Sequence, residues 1–136
     1  LEALAAVETA VVVVSAVNGV EMNTRRMFQE AGTLGLSRAI VINKLDAENV
    51  DLPSLVESIQ AALGKNCVLF NAPDRVGPGI REVFCLLDPH QNIPPSCPVD
   101  VPSARSQLIE AVVESDEPLL EKYLTEGAVT LAELEA

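Results

Sequence analysis

The sequence predicts an α/β fold: two parallel strands with their helices, taken from a larger doubly wound sheet, followed by a small α+β unit. Three observations predict it. Residues 10–17 and 39–42 are short apolar runs, the first with four consecutive valines, and neither carries the polar alternation of a half-exposed strand. Between them, residues 24–34 carry apolar positions at helical spacing, so strand, helix and strand make a βαβ unit with a right-handed crossover. After Gly64 the texture changes, with shorter apolar runs and gathered prolines.

Each element follows from local chemistry. Residues 1–8 place Leu1, Leu4, Ala5 and Glu8 at helical spacing, which reads as the last turns of a helix, and the chain starts within it at Leu1. Residues 10–17 read as a strand buried on both faces, and Asn18-Gly19 as the turn after it. Asn23 or Thr24 can cap the next helix, which puts Met27, Phe28, Ala31 and Leu34 inside and Arg25, Arg26 and Glu30 outside. Gly32 and Gly35 fray and end it. Residues 39–42 form the second strand. A helix over 52–63 follows, capped by Asp51, with Pro53 in its first turn, a stripe of Leu52, Leu55, Val56, Ile59 and Leu63, and Gly64 as its stop. Residues 67–71 and 82–87 read as a strand pair around a Pro/Gly-rich loop over 72–79. Pro89, Pro94, Pro95, Pro98 and Pro102 make 88–102 a semi-rigid loop. A helix over 103–114 buries Leu108, Ile109, Val112 and Val113. Ser115 or Asp116 starts another, with Pro118 in its first turn and Leu119, Leu120, Tyr123 and Leu124 buried, and Gly127 ends it. A last helix begins over 130–135. The organisation is therefore residues 1–64, then 65–136.

Composition narrows the function classes. At 136 residues and 49% hydrophobic, the chain has enough material for one core and too much apolar content for a disordered tail. Its apolar runs are too short to span a bilayer, and no basic segment marks a secretory leader. Cys67, Cys85 and Cys97 are odd in number and lack C-x-x-C spacing, so they read as reduced thiols of a cytoplasmic protein. Twenty acids against nine bases give a net charge of −11, which repels phosphate backbones and argues against direct DNA binding. The lone His90 offers no partner for a metal or a catalytic triad.

In open α/β sheets, ligands sit beyond the carboxyl ends of the strands. Directly after the second strand stand Asn43-Lys44-Leu45-Asp46. This Asn-Lys-x-Asp pattern resembles the guanine-recognition loop of GTP-binding domains. A carboxylate at Asp46 offers two acceptors to guanine N1–H and the exocyclic 2-amine, a pair of donors that adenine lacks at that edge. The Asn43 amide can donate to guanine N7 or O6, and the Lys44 stem can lie along the base. A plain polar turn is the simpler reading of four residues; the position at the end of a βαβ strand favours the nucleotide. Leu45 is assigned to inward packing.

The wider sequence resembles the translational GTPases, elongation factor G of bacteria most of all. The likeness is carried by residues 5–8 (AAVE), 11–16 (VVVVSA), 19–26 (GVEMNTRR), 40–46 (IVINKLD), 63–68 (LGKNCV), 108–114 (LIEAVVE) and 119–124 (LLEKYL). It implies a P-loop-type sheet, with an inserted subdomain after the guanine loop, in a GTPase that drives ribosomal translocation in the cytoplasm. Leu45 stands where that family usually has Met, and the segment 88–102 replaces a longer hairpin, which points to a divergent member. A release factor or a ribosomal protection protein would share the guanine loop.

The family's other nucleotide motifs are missing. The sequence contains no G-x-x-x-x-G-K-[ST], so it offers no cradle for phosphates or Mg²⁺. Asp74-Arg75-Val76-Gly77 spells the family's Asp-x-x-Gly, but after the guanine loop and in a Pro-rich segment, and is read as coincidence. Ser15-Ala16 mimics the family's last guanine-contacting motif, also on the wrong side of Asn43. The chain is therefore expected to be the second part of a GTPase domain. By itself it should bind GTP or GDP weakly and not hydrolyse it, because phosphate and Mg²⁺ contacts supply much of the affinity in such proteins.

Two further expectations concern partners. Glu110 and Glu114 are one turn apart on one helix, and Glu117 and Glu121 on the next, opposite the apolar stripes. A solvated acidic face explains them most simply. The resemblance implies instead that these helices face the flexible stalk protein of the large ribosomal subunit, and a stand-alone acidic interaction module is the alternative to a GTPase. The strand at Val11 to Val14 lacks the phosphate-loop strand that would flank it in the family fold, so its edge is expected to self-associate.

Overall fold

The computed structural model describes residues 4, 6–127 and 129–134. Leu1 and Ala5 of the expected first helix, and Glu135 of the last, lie outside the described residues. The chain divides into two compact units, Leu1–Cys67 with Val76–Ile80, and Val68–Arg75 with Arg81–Ala136.

The first unit contains β1 (Thr9–Ser15), α1 (Met22–Thr33), β2 (Ser37–Asn43) and α2 (Leu52–Leu63). The two strands are parallel, in register from Thr9 opposite Ser37 to Ser15 opposite Asn43. Residues paired across a parallel ladder share a face, so Val14 and Ile42 point one way and Val13 and Val41 the other. Val14, Leu55 and Ile59 form the core, with Ile40, Ile42, Leu63 and Cys67 packed around it. Arg38, on the same face as Ile40, lies over the Phe28 ring of α1. Both helices therefore cover one face of the sheet.

That arrangement corrects one expectation. β1 is not buried on both faces: Ala10, Val12 and Val14 are inside, while Val11 and Val13 are 59% and 57% exposed and Val41 of β2 is 47% exposed. A parallel strand is buried twice only where helices lie on both sides, and among the described residues α1 and α2 serve a single side. No described helix is long and apolar enough to cross a membrane.

A side-chain cap sets the start of α2. The Asp51 carboxylate accepts from Ser54 N–H at 3.1 Å and from Ser54 Oγ at 2.8 Å, so α2 starts where expected and its pKa falls, the Ser54 hydroxyl bond being the main cause. α1 departs from expectation. Its N-cap is Glu21, without a side-chain bond, and neither Asn23 nor Thr24 caps it. Leu34 at its end is 51% exposed. Gly32 lies within α1, and the left-handed Gly35 (φ +70°) follows its end.

The second unit contains β3 (Asn71–Pro73), β4 (Val83–Cys85), α3 (Val101–Val113), α4 (Glu117–Glu126) and α5 (Leu131–Leu134). β3 and β4 are antiparallel, with Ala72 opposite Phe84. They are shorter than the expected 67–71 and 82–87 and begin later, and single backbone bonds flank the ladder, Asp74 N–H to Glu82 O and Leu86 N–H to Phe70 O, both at 3.0 Å. The core is Ala72, Leu86, Leu87, Ala104 and Leu108. Arg105 crosses to the backbone, donating to Leu86 O at 2.7 Å and Asp88 O at 2.9 Å, and so holds the start of the Pro-rich segment onto α3. α3 starts at Val101, two residues before the expected Ser103, and takes Pro102 into its first turn.

Asp116 caps α4 through Leu119 N–H at 2.9 Å, and Gly127 ends it in the left-handed conformation (φ +72°). Leu124, expected inside, is 76% exposed, while Leu119, Leu120 and Tyr123 are half-buried. At the start of α5 the Glu133 carboxylate accepts from Thr130 N–H at 2.9 Å and from Thr130 Oγ1 at 2.7 Å, and Glu133 also pairs with Lys122 of α4. That ammonium holds the Glu133 carboxyl down at about 2. Cys67, Cys85 and Cys97 are all free and half-buried, and burial pushes the Cys67 thiol up.

Candidate functional site

The strands of the first unit end side by side. Ser15 closes β1 opposite Asn43, which closes β2, and Ala16 N–H donates to Asn43 O at 2.8 Å. Ser15 then turns the chain: its carbonyl accepts from Gly19 N–H at 2.8 Å, and its hydroxyl accepts from Val17 N–H at 3.3 Å. The Ser15-Ala16 pair, read from sequence as a misplaced mimic, is thus the spatial neighbour of Asn43.

The four residues after Ile42 form a tight exit from the sheet. Asn43 Oδ1 accepts from Lys44 N–H at 2.8 Å. That bond engages the amide oxygen, and the NH₂ remains as a donor. Lys44 takes a left-handed conformation (φ +63°), uncommon for a residue with a side chain. Ala47 N–H donates to Lys44 O at 3.2 Å and closes the turn. Asp46 and Lys44 are exposed, and Leu45 is half-buried. Among the described residues, Asp46 takes part in no ion pair.

The loop also has a brace that sequence reasoning missed. Gly77 N–H donates to Leu45 O at 2.7 Å. Gly77 is buried and left-handed (φ +88°), and it opens a turn closed by Ile80 N–H to Gly77 O at 3.2 Å, with Pro78 and Gly79 between them. The signal in the sequence was Gly77-Pro78-Gly79, a turn signature. Asp74, in the same motif, has a separate task in the second unit. Its buried carboxylate accepts from Arg81 N–H at 3.0 Å and from Arg75 Nε at 3.0 Å, and the Arg81 bond is the main reason its pKa lies below the usual carboxylate value.

The four acids of the second unit are spread over a helix junction. Glu110 lies in the last turn of α3 and Glu114 at its C-cap, Glu117 is the first residue of α4 and Glu121 follows one turn on. All four are exposed, and among the described residues none forms an ion pair. His90 is exposed in the Pro-rich segment. Among the described residues, no three His, Cys, Asp or Glu side chains are grouped to hold a metal. A cavity of about 490 Å³ runs beside β1, lined by Val11, Val13, Asn23, Thr24 and Met27. It lies along the strand body and not at the Asn43 end.

A model of one protein family, described as the elongation factor Tu GTP binding domain, matches residues 1–132.

Proposed function

The chain belongs to the family of the elongation factor Tu GTP-binding domain, a translational GTPase family, and on that premise we propose that it supplies guanine recognition to a translation factor of the elongation factor G type. Residues 1–64 are then the later part of the GTP-binding domain, and 65–136 its inserted subdomain. Asp46 accepts from guanine N1–H and the 2-amine, Asn43 donates to N7 or O6, and Lys44 lies along the base. The observation that carries this reading is the state of Asp46 and Asn43 at the carboxyl end of β2. One carboxylate is exposed and unpaired among the described residues, and one amide has its oxygen engaged and its NH₂ left over. These residues fit the base of GTP or GDP. The phosphates and Mg²⁺ find no G-x-x-x-x-G-K-[ST] within residues 1–136, so the phosphate end of the nucleotide belongs to other parts of the parent protein.

The role of the parent is GTP hydrolysis coupled to ribosomal translocation in the cytoplasm, and the acids at Glu110, Glu114, Glu117 and Glu121 meet the stalk protein of the large ribosomal subunit. The second reading, an acidic interaction module without nucleotide chemistry, is favoured only by the exposure of those four acids.

The test exchanges donor and acceptor at one position. Xanthine carries a carbonyl where guanine carries its 2-amine, so Asp46→Asn should turn the preference of the full natural protein from GDP to xanthosine diphosphate. GDP affinity should fall by about tenfold or more, as expected for a lost charge-assisted hydrogen-bond pair. Unchanged GDP affinity in calorimetry defeats the reading.

A further inference from the structure

We infer that Gly77 is a positioning residue for base recognition: its N–H holds the Leu45 carbonyl, and thereby fixes Asp46, the next residue, for the edge of the guanine ring. The inference rests on the function proposed above. Leu45 and Asp46 are consecutive, and a peptide plane is rigid, so anchoring one carbonyl orients the residue that follows. The Leu45–Gly77 bond, at 2.7 Å, is the shortest backbone bond reaching the 43–47 loop outside the β1–β2 ladder, among the described residues. It spans thirty-two residues of sequence, so it is not a by-product of local turn formation.

Other bonds at the loop fix other parts of it. Asn43 is held by the β1–β2 ladder and Lys44 by the Asn43 side chain. Without Gly77, the far half of the loop is tied back, among the described residues, only by the backbone bond of Ala47 to Lys44 O at 3.2 Å. The brace is itself prepared in advance. Gly77 is buried, and its turn to Ile80 contains Pro78, whose fixed φ reduces the conformations that must be frozen.

Glycine is required for a conformational reason and not a steric one. A Cβ at position 77 would meet only Ala47 O, at 3.8 Å, an ordinary contact. The φ of +88° is what opposes a side chain. Gly77→Ala therefore fits in space and strains the backbone, whereas Gly77→Asn, a residue that tolerates left-handed conformations, should relieve much of that strain.

The experiment measures GDP and inosine diphosphate binding to the full natural protein as wild type, Gly77→Ala, Gly77→Asn and Asp46→Asn. Inosine lacks the 2-amine, so the ratio of the two affinities reports how well the carboxylate is placed. Gly77→Ala should lower the preference for GDP by about three- to tenfold, the scale of one misplaced hydrogen bond, and Gly77→Asn should recover most of it. General destabilisation would weaken both nucleotides alike and leave the ratio unchanged. In the unaltered protein, the Gly77 amide should exchange slowly with solvent deuterium. If Asp46→Asn keeps the preference for GDP, the guanine reading itself has failed and the brace with it. If Asp46→Asn loses that preference while Gly77→Ala keeps it, or if the Gly77 amide exchanges at the unprotected rate, the role of Gly77 is refuted alone.

Discussion

The guanidinium of Arg38 lies 4.2 Å from the centroid of the Phe28 ring and donates to the Phe28 carbonyl at 3.3 Å, in space that Gly32 leaves open. One residue of β2 thus ties strand to helix through a cation–π contact and a hydrogen bond. A Cβ at Gly32 would come within 2.6 Å of Arg38 Nη1, so the guanidinium would have to move.

This predicts a non-additive pair. Arg38→Ala should cost about 1 kcal/mol, the sum of an exposed cation–π contact and a modest hydrogen bond. Gly32→Ala alone should be nearly neutral, since the helix gain of about 0.5–1 kcal/mol is offset by displacing Arg38. In the Arg38→Ala background the same change should stabilise by its full helix gain. Urea unfolding of the four proteins measures the coupling, and strict additivity would show that Gly32 does not serve Arg38.

Asp74 makes the acid limb of stability specific. Its folded pKa lies below the ordinary 3.8, chiefly through the Arg81 amide, so its contribution is present above the unfolded value and is lost as pH falls through the folded one. The stability gap between wild type and Asp74→Asn should be constant above about pH 5 and close as pH drops below 3.8. Circular dichroism melts across that range decide it; a gap that stays constant down to the lowest pH contradicts the assignment.

The bare face of the first sheet should drive association of the 136-residue chain. Val11 and Val13 are more than half exposed on a strand whose other edge is unpaired among the described residues, so Val11→Lys with Val13→Lys should convert an associating species to a monomer in light scattering while the melting temperature changes little. Val14→Lys, at 1% exposure on the opposite face, should unfold the unit. A monomeric wild type would remove the basis for the first statement.

Charge reversal tests the acidic junction. Glu110→Lys with Glu114→Lys should weaken binding to the large-subunit stalk protein, and more so at low salt, because exposed charges act through a screened field. The same substitutions should not reduce thermal stability, since both acids lie at the carboxyl end of α3, where a cation suits the helix dipole better. Unaltered affinity would leave these acids with solubility as their only role.

Much of this architecture could be read from sequence because its determinants are local. Asp51, Pro53 and Gly64 bound α2 through a cap, a first-turn proline and a stop, each acting within four residues. The parallel β1–β2 pair followed from β-branched runs separated by one helix length, and the Asn43–Asp46 loop from its place after the second run. Where a local signal competed with packing, packing decided. The helix start at Met22 ignored the better capping residues Asn23 and Thr24. The second face of β1 stayed bare because burial depends on what else is present, not on the valines themselves. The bond from Gly77 to Leu45 had no counterpart in any sequence window, since it joins residues that only the folded chain brings together, and its donor is a backbone amide that every residue except proline carries. The identity of the side chains at the loop was therefore written in the sequence, while the fixing of the loop was left to the tertiary structure, because a long-range backbone hydrogen bond forms only after both of its strands of chain have been placed.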